Sequence, residues 1–148
     1  MLRHAPPMVL IAEDNSDDCL IAMRAWEESR LGFDVRFVHD GRELMDYVYR
    51  RRKWHGSLDL PLPQLILLDL NMPRKDGRRV LEDLQGHPEW SQIPIVILSG
   101  SRHPRDIQQS EMLGAYDFIT KPETFDEYQR MITQLGQAVL EKNKRQFA

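Results

Sequence analysis

One cysteine, Cys19, stands in a chain of 148 residues, so no internal disulfide can form and no thiolate cluster can gather a metal. A lone thiol of this kind packs as a small hydrophobe, and a buried place on a helix is expected for it. The five histidines are scattered, without His-x-x-His or His-Glu-x-x-His spacing, which leaves a zinc site without support. There is no apolar stretch long enough to cross a bilayer and no signal-peptide pattern, so neither a membrane partner nor export is expected, and the cytoplasm is the expected compartment. A net charge of -3 argues against a protein made mainly for nucleic acid. A single domain spanning 1–148 is expected, with its core at about 7–137 and a last helix reaching about 145. Any output domain would then be another protein.

What the chain does have is apolar runs that end in chemistry. Leu65-Ile66-Leu67-Leu68 runs into Asp69, followed by the polar turn Leu70-Asn71-Met72-Pro73-Arg74-Lys75-Asp76-Gly77. Val9-Leu10-Ile11-Ala12 ends in Glu13-Asp14-Asn15, Ile95-Val96-Ile97-Leu98 in Ser99-Gly100, and Tyr116-Asp117-Phe118-Ile119-Thr120 in Lys121-Pro122. Runs without polar alternation fit strands buried on both faces.

Helical patterns separate these runs. Cys19, Ala22, Met23 and Trp26 recur at helical spacing, as do Tyr128, Met131, Ile132, Leu135 and Val139, each set marking one apolar face. Ser16 is the expected N-cap of the first helix, and Thr124-Phe125-Asp126-Glu127 is a capping-box pattern for the last. A second strand is expected near 34–38, with helices near 42–52, 78–84 and 105–113, the last of these capped by Gly114. Five strand–helix pairs in alternation predict an α/β fold, a mostly parallel sheet with helices on both faces. In a doubly wound sheet of order 2-1-3-4-5, ligands sit where the winding reverses, between the ends of strands one and three. Those ends carry Glu13-Asp14 and Asp69.

Three carboxylates brought together repel one another unless a cation or protons hold them. Carboxylate and carbonyl oxygens suit Mg²⁺, with Asp14 and Asp69 as direct ligands, Glu13 through water and the Asn71 backbone carbonyl as a further oxygen. Such a site favours a phosphoryl oxygen. Lys121 can cover one oxygen of a moving phosphoryl group, Ser99 can donate a hydroxyl hydrogen bond to another, and Asp69 can act as nucleophile. Each residue also has a plainer reading: Asp14-Asn15-Ser16 as a capping turn, Ser99-Gly100 as a strand-end turn, Lys121-Pro122 as a rigid loop, and Asp69 as an acid in a turn network.

Together, Glu13-Asp14-Asn15, Asp69-Leu70-Asn71-Met72-Pro73 with Asp76-Gly77, Ser99-Gly100 and Lys121-Pro122 resemble the signature of response-regulator receiver domains over about residues 7 to 137. The resemblance implies a flavodoxin-like (CheY-like) fold and phosphorylation of Asp69 by a partner histidine kinase. It implies Mg²⁺ at Glu13, Asp14, Asp69 and the Asn71 carbonyl, a switch pair of Ser99 and Phe118, and a cis peptide before Pro122. The chain would then be a phosphoacceptor rather than an enzyme, catalysing only its own phosphorylation and slow dephosphorylation, with its α4-β5-α5 surface as the switched face. The long connection Lys53–Pro63 and the lack of an effector domain are similar to the stand-alone receivers that serve bacterial phytochrome kinases.

Departures from the family pattern are Phe118 where tyrosine is more usual and Ser99 where threonine is frequent, while Arg74 and Lys75 add positive charge after Asp69. A phosphohydrolase of the haloacid-dehalogenase type would need a second aspartate where Asn71 stands. A flavodoxin-like cofactor binder would need phosphate donors where Glu13-Asp14 presents negative charge. Trp54 and its neighbouring leucines are expected to offer a partner surface, and Arg50-Arg51-Arg52-Lys53 reads as a solvated helix end rather than a nucleic-acid patch. Val139 and Leu140, continuing the apolar stripe of the last helix, point to a homodimer through that helix.

Overall fold

The computed structural model describes residues 6–56, 60–72 and 74–147, those after 142 by backbone alone. Five strands, β1 (Met8–Ala12), β2 (Asp34–Val38), β3 (Leu65–Leu68), β4 (Ile95–Ser99) and β5 (Asp117–Thr120), form one parallel sheet of order β2-β1-β3-β4-β5. Five α-helices alternate with them: α1 (Ser16–Ser29), α2 (Gly41–Val48), α3 (Gly77–Gln85), α4 (Pro104–Met112) and α5 (Phe125–Phe147). This is the doubly wound α/β architecture expected from the alternation.

Strands β1, β3 and β4 are buried at every residue, because each is covered by helices on both sides. On one face Leu10, Ile66, Leu68 and Ile97 pack with Leu44 and Met45 of α2 and Val80, Leu81 and Leu84 of α3. On the other, Val9, Ile11, Leu65, Leu67 and Val96 pack with Ala22, Ala25 and Trp26 of α1 and Tyr128, Ile132 and Val139 of α5. Burying each such side chain stabilises by roughly 1.5–3 kcal/mol before the entropy of ordering is subtracted. β2 and β5, at the sheet edges, keep residues exposed.

Several local expectations are corrected. The N-cap of α1 is Asn15, whose side chain accepts from the Asp18 backbone N–H, and Ser16 is already helical. Met23 is 42% exposed and faces solvent, since the buried stripe runs through Ala22, Ala25 and Trp26. α2 stops at Val48, not near 52: Arg50 has φ 55° and a 3₁₀ turn follows at Arg52–Trp54. That turn folds Trp54 onto the core, edge-on to Tyr47 with ring centroids 5.2 Å apart, while the Tyr47 hydroxyl donates to the Pro61 carbonyl. Trp54 and Leu60 therefore cover this domain's own core; Ser57, Leu58 and Asp59 of the same connection lie outside the described residues.

In the basic run beside that turn, Arg51 and Arg52 both contact the buried carboxylate of Asp46, and Lys53 contacts Glu43. Gly114 follows α4 with φ +97°, one residue past the cap at Leu113, a left-handed conformation that glycine adopts without steric cost. α5 starts where the capping pattern places it, with the Glu127 N–H donating to Thr124 Oγ1. Ala148 lies outside the described residues.

Candidate phosphoryl and metal site

The residues that carry chemistry are those with which the buried strands run out. Glu13 directly follows β1, Asp69 follows β3, Ser99 ends β4 and Lys121 follows β5. Parallel pairing brings these four positions to one edge, and backbone bonds fasten them there. The Asp69 N–H donates to the Ala12 carbonyl (3.2 Å), Glu13 N–H to the Val38 carbonyl (2.9 Å) and Lys121 N–H to the Ser99 carbonyl (2.8 Å). The crevice at the β1–β3 reversal is thus where sheet topology expects a ligand.

Lys121 spans it. Its ammonium donates to Glu13 Oε1 at 2.6 Å, Asp18 Oδ2 at 3.0 Å and Asp69 Oδ2 at 3.2 Å. Glu13 and Asp69 are buried, Asp14 is exposed, and carboxylate oxygens of all three lie within 4.8 Å of one another. Burial raises the Glu13 carboxyl above its ordinary value, against hydrogen bonds from Lys121 and the Asn15 N–H. For Lys121, burial alone would favour the neutral amine, but hydrogen bonds to Glu13 and Asp18 and the charge of Asp69 outweigh it and hold the ammonium firmly protonated. Cys19 is half-buried rather than buried, its thiol donating to the Glu13 carbonyl at 3.6 Å, and burial with the surrounding carboxylates pushes it up to about 11, which disfavours a thiolate nucleophile.

The loop after Asp69 is drawn tight around it. The Asn71 N–H donates to Asp69 Oδ1 (3.1 Å), and Gly77 N–H to the Leu70 carbonyl (3.0 Å). A Cβ at Gly77 would lie 2.6 Å from the Asp69 carbonyl oxygen and 2.7 Å from Leu70 Cα, so only glycine allows α3 to start this close. Arg74 and Lys75 do not add free charge to the site, because they pair with Asp40 and Asp83. Pro73 lies outside the described residues.

Ser99 is fully buried, its Oγ accepting from the Ser101 N–H (3.2 Å). Phe118 lies opposite Ile97 in the β4–β5 register and is partly buried against the same core face. Among the described residues no peptide bond is cis, so the link from Lys121 to Pro122 is trans, the form favoured even before proline, and the cis expectation is overturned. Asp18 is the residue that pattern reading missed. It lies three positions after the N-cap, where an acid reads as a helix-dipole residue, and only the fold reveals that it is a third anchor for Lys121.

These carboxylates fit a hard divalent cation: they supply oxygen donors from two strand ends, two of them buried, with one ammonium to offset their mutual repulsion. The same arrangement leaves an aspartate oxygen beside a lysine and a metal site, which suits transfer of a phosphoryl group.

The comparisons with known proteins agree with that geometry. The sequence profile of the response regulator receiver domain matches residues 9–133. The chain is 30% identical over 127 residues to response regulator Rcp1 of Synechocystis sp., covering 86% of this chain and 84% of that one. A crystal structure of Rcp1 in its Mn²⁺-bound form superposes with TM-score 0.79 at 29% identity, covering 88% of this chain and 91% of that one. The phosphorylated cyanobacterial phytochrome response regulator RcpA gives TM-score 0.84 at 32% identity, covering 93% of this chain and 96% of that one.

Proposed function

Because the chain belongs to the response-regulator receiver family, whose role is to accept a phosphoryl group from a histidine kinase, we propose that Asp69 is its phosphoacceptor. The observation that carries this is the Lys121 ammonium bridging Glu13, Asp18 and Asp69 from the end of another strand. An Asp69 carboxylate oxygen attacks phosphorus, forming the P–O bond as the donor's P–N bond breaks. The electron pair stays on the departing imidazole, which takes a proton. Lys121 and the Ser99 hydroxyl each donate to an oxygen of the moving group, where charge accumulates. Asp14, Asp69, the Asn71 carbonyl and Glu13 would hold Mg²⁺, which when bound neutralises phosphoryl charge.

Asn71 cannot act as a general base, which favours a phosphoryl group that persists over rapid hydrolysis and a signalling role over an enzymatic one. Phosphorylation then draws Ser99 toward Asp69, and Phe118 moves inward behind it to alter the α4-β5-α5 face. A hundredfold bias between the two states requires about 2.7 kcal/mol of differential contact. No helix among the described residues is long and apolar enough to cross a membrane. The remaining parts of the reading are a cytoplasmic single domain over 1–148, a bacterial phytochrome kinase as donor, no direct nucleic-acid contact, and a homodimer along α5. Of the two residues that suggested the dimer, Val139 is buried in this domain's own core, which leaves the half-buried Leu140 to carry that part of the reading.

The test is incubation with acetyl phosphate, with and without Mg²⁺, following intact mass beside Asp69→Asn. One added phosphoryl group that needs Mg²⁺ and vanishes in the variant is expected. No gain under any condition would refute the reading.

A further inference from the structure

Ser99 is tied by a chain of polar contacts to a charged cluster outside the site. The Ser101 N–H donates to Ser99 Oγ (3.2 Å), and the Ser101 hydroxyl donates to Asp106 Oδ2 (2.5 Å) in the first turn of α4. The other oxygen of Asp106 accepts from Arg78 Nη2 (2.9 Å), whose guanidinium also donates through Nε to Gln109 (3.1 Å) and through Nη1 to Asp76 (3.2 Å). Asp76 is the N-cap of α3 and closes the loop that begins at Asp69. Arg78 and Asp106 are about three-quarters buried, with side-chain exposures of 24% and 23%. Two loops of the site, the one after Asp69 and the one after Ser99, are therefore clamped together by one ion pair.

We propose that Asp106, held by Arg78, is a positioning residue for the Ser99 hydroxyl. Its carboxylate fixes Ser101, and the Ser101 N–H occupies one lone pair of Ser99 Oγ, which leaves the hydroxyl hydrogen to point elsewhere. Held in that way, Ser99 can donate to a phosphoryl oxygen on Asp69 without first giving up an internal hydrogen bond. The same links join Ser99 to the first turn of α4. This deepens the phosphoacceptor reading and rests on it.

The experiment is the rate of phosphorylation by acetyl phosphate, a small donor that needs no kinase docking, at saturating Mg²⁺. Asp106→Asn, Arg78→Ala, their double variant and Arg78→Lys are compared with the native chain. Groups linked in one network couple strongly, so each single loss is expected to slow the rate about tenfold. The double variant should be no slower than either single one, and Arg78→Lys should recover part of the rate. The Mg²⁺ concentration for half-maximal rate should stay unchanged, because the metal carboxylates are untouched. A clamp that serves only stability would lower the melting temperature and leave the rate alone; that result, or additive losses in the double variant, overturns the proposal. Absence of phosphorylation in the native chain would overturn the phosphoacceptor reading itself, whereas a native rate preserved in all four variants removes only the role of Asp106.

Discussion

On the proposed reading Lys121 both supports the metal-free site and competes with a metal for it, so replacing it should separate the two roles. In Lys121→Met the long stem survives and the ammonium is lost, together with its contacts of 2.6 Å to Glu13, 3.0 Å to Asp18 and 3.2 Å to Asp69. Two carboxylates within 4.8 Å of each other repel by at least about 3.5 kcal/mol at an effective dielectric constant near 20. Protonation of Glu13, already favoured by burial, relieves part of that repulsion. The expected loss of apo stability at neutral pH is about 2 kcal/mol, or roughly 6 °C in melting temperature for a domain of this size. Mg²⁺ affinity should move the other way. The ammonium occupies the same oxygens and repels a dication, and removing about 1.4 kcal/mol of that competition tightens binding about tenfold. Calorimetric Mg²⁺ titration at constant ionic strength and thermal melts in EDTA read the two effects, and the acetyl phosphate rate should fall despite the tighter metal. An affinity for Mg²⁺ equal to or weaker than that of the native chain would refute the claim that Lys121 holds the metal's oxygens.

Glu13 sets a pH dependence. Its folded-state value is raised above the ordinary 4.5, so its contribution to stability is full below that value and is lost as pH rises through the folded one. Stabilisation by Mg²⁺, read as the rise in melting temperature, should therefore be larger at about pH 7.5 than at about pH 5, and Glu13→Gln should flatten the slope of the metal-free protein. Ser99→Ala removes the hydroxyl proposed to donate to the moving phosphoryl group and should slow acetyl phosphate transfer by about tenfold or more with the fold intact by circular dichroism. Gly77→Ala forces a methyl against the Asp69 carbonyl and Leu70 Cα; a cost of about 1–3 kcal/mol in urea melts is expected, with weakened Mg²⁺ binding. Trp54→Ala should cost about 2 kcal/mol of stability, measured by the same melts, because the indole packs on Tyr47.

Much of the fold was legible because buried parallel strands advertise themselves. β1 and β3 are uninterrupted apolar runs and β4 is one up to Ser99, and all their residues are buried. Alternation with helices then restricts the order of the sheet, and the observed β2-β1-β3-β4-β5 order is the expected one. Boundaries were harder where two local signals competed. Ser16 and Asn15 are both good caps, and the choice fell to Asn15 because its side chain meets the Asp18 N–H. The helix pattern near 42–52 ran on through Arg50-Arg51-Arg52, which have no apolar period to end, while the chain in fact turns there so that Arg51 and Arg52 reach Asp46. Trp54 looked like a partner residue because a tryptophan in a long connection carries no periodicity to show which way it points.

The same distinction separates the parts of the site. Glu13, Asp69, Ser99 and Lys121 were readable because each terminates an apolar run, and strand ends on a parallel sheet share one edge by topology alone. Asp18, Arg78 and Asp106 terminate nothing. They lie within first helical turns, where acids and polar residues are ordinary, and their meaning comes only from what stands across the gap: Lys121 for Asp18, and Arg78 for Asp106. Residues of the first kind can be named from sequence because the fold's own logic delivers them. Those of the second kind depend on side-chain reach between helices and loops, which changes without disturbing the strand pattern. A site of this architecture can thus keep its strand-end chemistry while its supporting contacts vary. That is why the coupling between Ser99 and α4 has to be tested on Asp106 and Arg78 of this chain.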